Sequence, residues 1–103
     1  MLFRSMAMTP EGKVKARLKK HLDEMDIYHF SPFQAGMGRA GVPDIIGCYH
    51  GLFVAFECKA GNNKPTALQE REMNAIRTAK GLAFVINEEN VDNIKELLRW
   101  TKN

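Results

Sequence analysis

The hydrophobic positions of this chain change period several times, and each change marks an element. Thr9 and Pro10 suit an N-cap and a first helical position, and apolar residues then recur at Val14, Leu18, Leu22 and Met25. These spacings of three and four predict an amphipathic helix running to about Met25. Ile27 to Phe33 reads as a strand with Tyr28, Phe30 and Phe33 as its aromatic members. Two further apolar runs, rich in β-branched and aromatic residues, flank His50-Gly51, a two-residue hairpin turn in which Gly51 supplies a positive φ. Gly61-Asn62-Asn63-Lys64-Pro65 is a turn. Thr66 then caps a second helix, which runs to Lys80 before Gly81 ends it. Leu82 to Ile86 is a short strand of the buried type. Val91 to Lys102 forms a last helix with Ile94, Leu97 and Leu98 inward and Trp100 packing at its end. The order is helix, three strands, helix, strand, helix, which makes an α/β fold around a central hairpin.

The hairpin carries the candidate chemistry. With a turn at His50-Gly51, Tyr49 pairs with Leu52, and counting outward sets Asp44 opposite Glu57 on one face, with Cβ atoms ~5 Å apart. Lys59 shares the face of Glu57, whereas Val54, Phe56 and Cys58 point the other way. Two carboxylates opposed on a sheet repel, so apolar strands that bring them together call for a compensating cation. A hard divalent ion bound by carboxylates, a backbone carbonyl and water answers that need. The competing reading is an ordinary solvated ladder of charges on an exposed sheet face.

Three other features have two readings each. Glu11 lies three residues before Val14, so it either complements the helix dipole or turns inward to the acids. The segment 34–42, with Gly36, Gly38, Arg39 and Gly41, is either a surface loop or a loop that approaches a phosphate, with Arg39 as ligand. It is not a Walker motif, because it lacks Gly-Lys-Ser/Thr and leads into a strand. Gln69 follows Thr66 by three, as in a capping box, yet shares a face with the apolar Met73, Ile76 and Ala79.

Composition narrows the class. A length of 103 residues makes one domain, spanning 1–103, and 45% hydrophobic with 26% charged residues is that of a globular chain. The net charge of +3, with pI near 9.0, mildly favours a polyanionic partner. The basic run Lys13, Lys15, Arg17, Lys19, Lys20 is not confined to one helix face and carries little weight as a groove reader. No apolar run approaches membrane-spanning length and Met1-Leu2-Phe3 is too short for a signal-peptide core, so a cytoplasmic location is expected. Cys48 and Cys58, roughly 17 Å apart in the proposed register, are expected to be reduced strand residues without zinc-site spacing. His21, His29 and His50 have no Ser or Cys arrangement that suggests a triad.

Three stretches together, Gly41-Val42-Pro43-Asp44-Ile45-Ile46-Gly47, Phe56-Glu57-Cys58-Lys59 and Leu68-Gln69-Glu70-Arg71-Glu72, resemble the virus-type replication-repair nuclease (VRR-NUC) domain of the PD-(D/E)xK nucleases. The resemblance covers about residues 9 to 86. It implies a restriction-endonuclease-like αβββαβ core with an added C-terminal helix and a mixed sheet. It also implies that Asp44, Glu57 and the Cys58 carbonyl coordinate Mg²⁺ or Mn²⁺, with Glu11 a further or water-mediated ligand. Lys59 would position the attacking water and stabilise phosphate charge, and Gln69 would orient Lys59 or the water. Gly36, Gly38, Arg39, Gly41 and Lys64 are the candidate substrate contacts. The expected activity is endonucleolytic hydrolysis of branched or junction-containing DNA, leaving 5′-phosphate and 3′-hydroxyl ends. A homodimer is expected, as in the phage or mobile-element enzymes this chain resembles, with the arm Met1-Leu2-Phe3, Met6 and Met8 as a candidate contact. The alternative is a nucleic-acid-binding module without catalysis.

Overall fold

Thr9 fixes the start of the first helix by accepting the Gly12 N–H at 3.0 Å, and Pro10 opens α1 (Pro10–Glu24) at a position where no intrahelical N–H is needed. We describe the chain from a computed structural model that covers residues 8–33 and 39–102. The N-terminal residues 1–7, which include most of the expected dimer-contact arm, lie outside the described residues. The sheet consists of β1 (Tyr28–Phe30), β2 (Ile45–Tyr49), β3 (Leu52–Cys58) and β4 (Leu82–Ile86) in that spatial order. α2 (Ala67–Thr78) connects β3 to β4, and a 3₁₀ turn at Val91–Asn93 leads into α3 (Ile94–Lys102).

β1, β2 and β3 pair antiparallel and β4 adds parallel to β3, so the sheet is mixed with the hairpin at its centre. Tyr49 pairs with Leu52 and Ile45 with Phe56, the register expected from the sequence. The turn has φ of 50° at His50 and 85° at Gly51, so both central residues are left-handed, as a type I′ hairpin requires.

Alternation along β3 divides the interior into two layers. Val54, Phe56 and Cys58 join Val14, Leu18 and Leu22 of α1 and Ile94 and Leu98 of α3 in the larger core, and all eight are buried. Ala55 faces the other way, packing with Met73 of α2 and Ala83 of β4. The sheet therefore lies between α1 with α3 on one side and α2 on the other, and each helix buries one stripe against it.

Two element ends differ from the sequence reading. β1 stops at Phe30 instead of reaching Phe33, because Pro32 has no N–H for a ladder. Phe33 is 90% exposed. α2 stops at Thr78, and the left-handed residue after it is Lys80, φ 76°, not Gly81. Gly81 N–H reaches Ile76 O at 2.9 Å and Lys80 N–H reaches Arg77 O at 3.0 Å, the bond pair of a Schellman cap. Gly81 is glycine for space: a Cβ there would lie 2.8 Å from Ile76 Cγ2.

Candidate active site

Antiparallel pairing brings the start of β2 and the end of β3 to the same end of the sheet, and the acids gather there. Asp44 sits in a bend immediately before β2, one residue beyond the last Ile45 to Phe56 pair. The continued register puts it beside Glu57. Its Oδ2 accepts the backbone N–H of Cys58 at 2.9 Å, which holds the carboxylate against the end of β3. The preceding Pro43 is buried and fixes the approach of the chain.

Glu57 is 1% exposed, the one polar or charged side chain fully buried among the described residues. Its Oε2 faces Lys59 Nζ at 3.6 Å, and its Oε1 is buried with no hydrogen-bond partner among the described residues. Burial pushes the Glu57 carboxyl up to about 7, and the neighbouring Asp44 charge adds to the rise while Lys59 opposes it. Glu11 acts in the same upward direction on Glu57 and on Cys58, so the first turn of α1 lies near the acids. Burial likewise pushes the Cys58 thiol up to about 12, which keeps it protonated and inert beside the carboxylates.

The site contains a residue that the sequence reading did not single out. Lys15 Nζ lies 3.7 Å from Asp44 Oδ1, and its side chain is one-third exposed. The signal was present in the sequence, because Lys15 follows Glu11 by four and shares its helix face. It was obscured by the neighbouring lysines and arginine of the same run.

The other expected site residues are placed as follows. Gln69 Oε1 accepts Thr66 N–H at 2.8 Å while Thr66 Oγ1 accepts Gln69 N–H at 3.2 Å, a complete capping box. Its carbonyl is thus committed to α2. Gly41, φ 78°, presses against the first turn of α2, where a Cβ would come within 2.7 Å of the Leu68 carbonyl. This packing brings the chain just before Asp44 alongside Gln69. Arg39 pairs with Glu72, Nη2 to Oε2 3.0 Å, which ties the chain at Arg39 to α2 and raises the guanidinium pKa further. Lys64 is exposed on the turn before α2 and lines a surface pocket with Asn87, Glu88 and Glu89, a pocket that includes none of Glu11, Asp44 and Glu57. Gly36 and Gly38 lie outside the described residues.

The donor set suits a hard cation. A buried carboxylate oxygen without a partner, beside a second carboxylate, is the environment that an oxygen-loving ion satisfies. No cluster of three or more His, Cys, Asp and Glu side chains occurs among the described residues, so Glu11 does not complete a three-side-chain cage. A backbone carbonyl and water would fill the remaining positions. A cavity of about 600 Å³ lined by His21, Tyr49, His50, Asp92 and Arg99 contains none of these residues. There His21 Nε2 meets Asp92 Oδ1 at 2.8 Å and Arg17 pairs with the same carboxylate, tying α1 to the 3₁₀ turn. No helix among the described residues is long and apolar enough to cross a membrane.

No family model matches the sequence, and no curated protein matches it. Solved structures do. One described as a "VRR_NUC domain" is similar with a TM-score of 0.70 at 24% identity, over 86% of this chain and 97% of its own. Another, a "VRR_NUC domain protein", is similar with a TM-score of 0.65 at 20% identity, over 93% of this chain and 90% of its own. With its mixed sheet, central hairpin and flanking helices, the chain has the fold of the VRR-NUC nuclease domain.

Proposed function

We infer that this protein is a metal-dependent DNA endonuclease of the VRR-NUC type, hydrolysing phosphodiester bonds in branched or structured DNA. The observation that carries the reading is Glu57: a buried carboxylate with one oxygen unpartnered among the described residues, beside Asp44 and facing Lys59. A buried carboxyl held near the neutral range next to a second acid is the signature of a working site. As part of a core, it would be better replaced by an apolar residue.

Asp44, Glu57 and the Cys58 carbonyl would hold Mg²⁺ or Mn²⁺, with Glu11 contacting it through water. When bound, the ion supplies a water of lowered pKa and neutralises charge developing on the phosphate. Lys59, on the face of Glu57, donates to the attacking water or to a phosphate oxygen. The Asp44 bond to Cys58 N–H fixes one carboxylate, so little reorganisation is needed when substrate arrives. Gln69 has its amide nitrogen left for the site after its carbonyl has capped α2. The same reading gives a homodimer acting in the cytoplasm, which would present two sites to a branched substrate.

The test is cleavage of labelled four-way-junction, flapped and linear DNA with Mg²⁺ or Mn²⁺ against EDTA. Cleavage that needs the metal, and is lost in Lys59→Ala and Asp44→Asn while circular dichroism stays native, is the expected result. DNA binding without cleavage under every metal condition would identify a binding module instead.

A further inference from the structure

Each acid of the hairpin faces a lysine through one oxygen: Glu57 Oε2 faces Lys59 at 3.6 Å, and Asp44 Oδ1 faces Lys15 at 3.7 Å. The pairs are not equivalent. Lys59 follows Glu57 by two residues, one past the end of β3; its backbone N–H donates to Ile86 O at 2.9 Å and its side chain is only 12% exposed, so both its backbone and its surroundings fix it. Lys15 reaches in from the separate element α1 and is one-third exposed, and at 3.7 Å it makes no hydrogen bond to Asp44. Its ammonium is held by charge alone and is free to move along a four-carbon stem. Asp44 Oδ2 is occupied by Cys58 N–H, which leaves Oδ1, the oxygen under Lys15, as the atom that Asp44 can offer to a cation.

We propose that Lys15 is a second substrate lysine, parked on Asp44 Oδ1 in the ion-free protein and released to the substrate phosphate when a divalent cation takes that oxygen. This rests on the reading of Asp44 and Glu57 as metal ligands. Formal charges give the exchange a direction. With all three carboxylates ionised, Glu11, Asp44 and Glu57 against two ammonium groups, Lys15 and Lys59, leave one net negative charge that repels a phosphate. A divalent ion turns that into one net positive charge, and the displaced Lys15 then points its charge outward, where a DNA strand arrives. Lys15 therefore competes with the ion but cooperates with DNA once the ion is bound. A purely structural ion pair would also oppose the ion by its charge, but it would not aid DNA binding once the ion is bound, so the loss of junction affinity confined to Ca²⁺ is what separates the two.

The experiment separates the two affinities in Lys15→Gln. Mn²⁺ is titrated calorimetrically into protein without DNA, and a fluorescein-labelled four-way junction is titrated by anisotropy in EDTA and in Ca²⁺. Lys15→Gln is expected to bind Mn²⁺ about threefold to tenfold tighter, to lose a similar factor of junction affinity in Ca²⁺, and to match the wild type in EDTA. Lys15→Arg should keep the wild-type junction affinity in Ca²⁺. Equal or weaker Mn²⁺ binding by Lys15→Gln, or an equal loss of junction affinity in EDTA, overturns the role of Lys15 and leaves the metal site standing. A wild-type protein that takes up no Mn²⁺ overturns the metal site and the role of Lys15 together.

Discussion

Asp44 Oδ2 accepts the backbone N–H of Cys58 at 2.9 Å, so the acid before β2 is bonded to the middle residue of the Glu57-Cys58-Lys59 triplet. One side chain thus has a structural bond through Oδ2, while its Oδ1 faces Lys15 Nζ at 3.7 Å. The two roles separate by substitution. Asp44→Asn keeps an acceptor for Cys58 N–H and is expected to melt near the wild type. Asp44→Ala leaves that part-buried N–H unpaired and should lose about 1–3 kcal/mol in urea denaturation. Both should lose metal-dependent cleavage, and equal stability of the two variants would show that the Cys58 bond contributes nothing.

Glu57 makes folding stability pH-sensitive in a definite direction. Its carboxyl titrates at about 7 in the folded protein, above the ordinary value of 4.5, so the folded state binds more protons than the unfolded state between those values. The contribution of Glu57 to stability is then greatest below about 4.5, falls as pH rises, and levels off above about 7, with a loss on the order of 3 kcal/mol. Denaturation of Glu57→Gln in EDTA across this range should lack that decline and exceed the wild type at pH 8. Saturating Mg²⁺ should also remove most of the decline in the wild type.

Gly41 packs tightly on the first turn of α2, three residues before Asp44. A methyl group there would strike the Leu68 carbonyl and force a left-handed φ on an alanine. Gly41→Ala is therefore expected to destabilise by about 2 kcal/mol or more. It should also slow cleavage, because the displaced chain carries Asp44. A thermal melt within one degree of wild type would contradict the close packing on α2.

Lys80 occupies the left-handed position of the α2 cap, where glycine has no Cβ penalty. Lys80→Gly should raise stability by about 1 kcal/mol, seen as a higher urea midpoint at unchanged slope. Gly81→Ala should do the opposite, since its Cβ meets Ile76.

The hairpin, the caps at Thr9 and Thr66, and the helix stripes were all legible because each depends on local chemistry. His50-Gly51 specifies a two-residue turn, period-two alternation then fixes which side chains share a face, and Val14, Leu18 and Leu22 recur at helical spacing. The amino-acid order alone therefore set Glu57 and Lys59 on one face, with Val54, Phe56 and Cys58 on the other. It misplaced the end of α2 because Gly81 attracted the cap assignment that Lys80 carries. Contacts between elements were not legible. That Asp44 bonds Cys58, that Arg39 clips to Glu72, and that Lys15 alone in its basic run reaches Asp44 depend on how α1 and α2 dock on the two sheet faces. Five cations between positions 13 and 20 look alike along the chain. The packing of Val14, Leu18 and Leu22 sets the rotation of α1, and that rotation aims Glu11 and Lys15 at the acids.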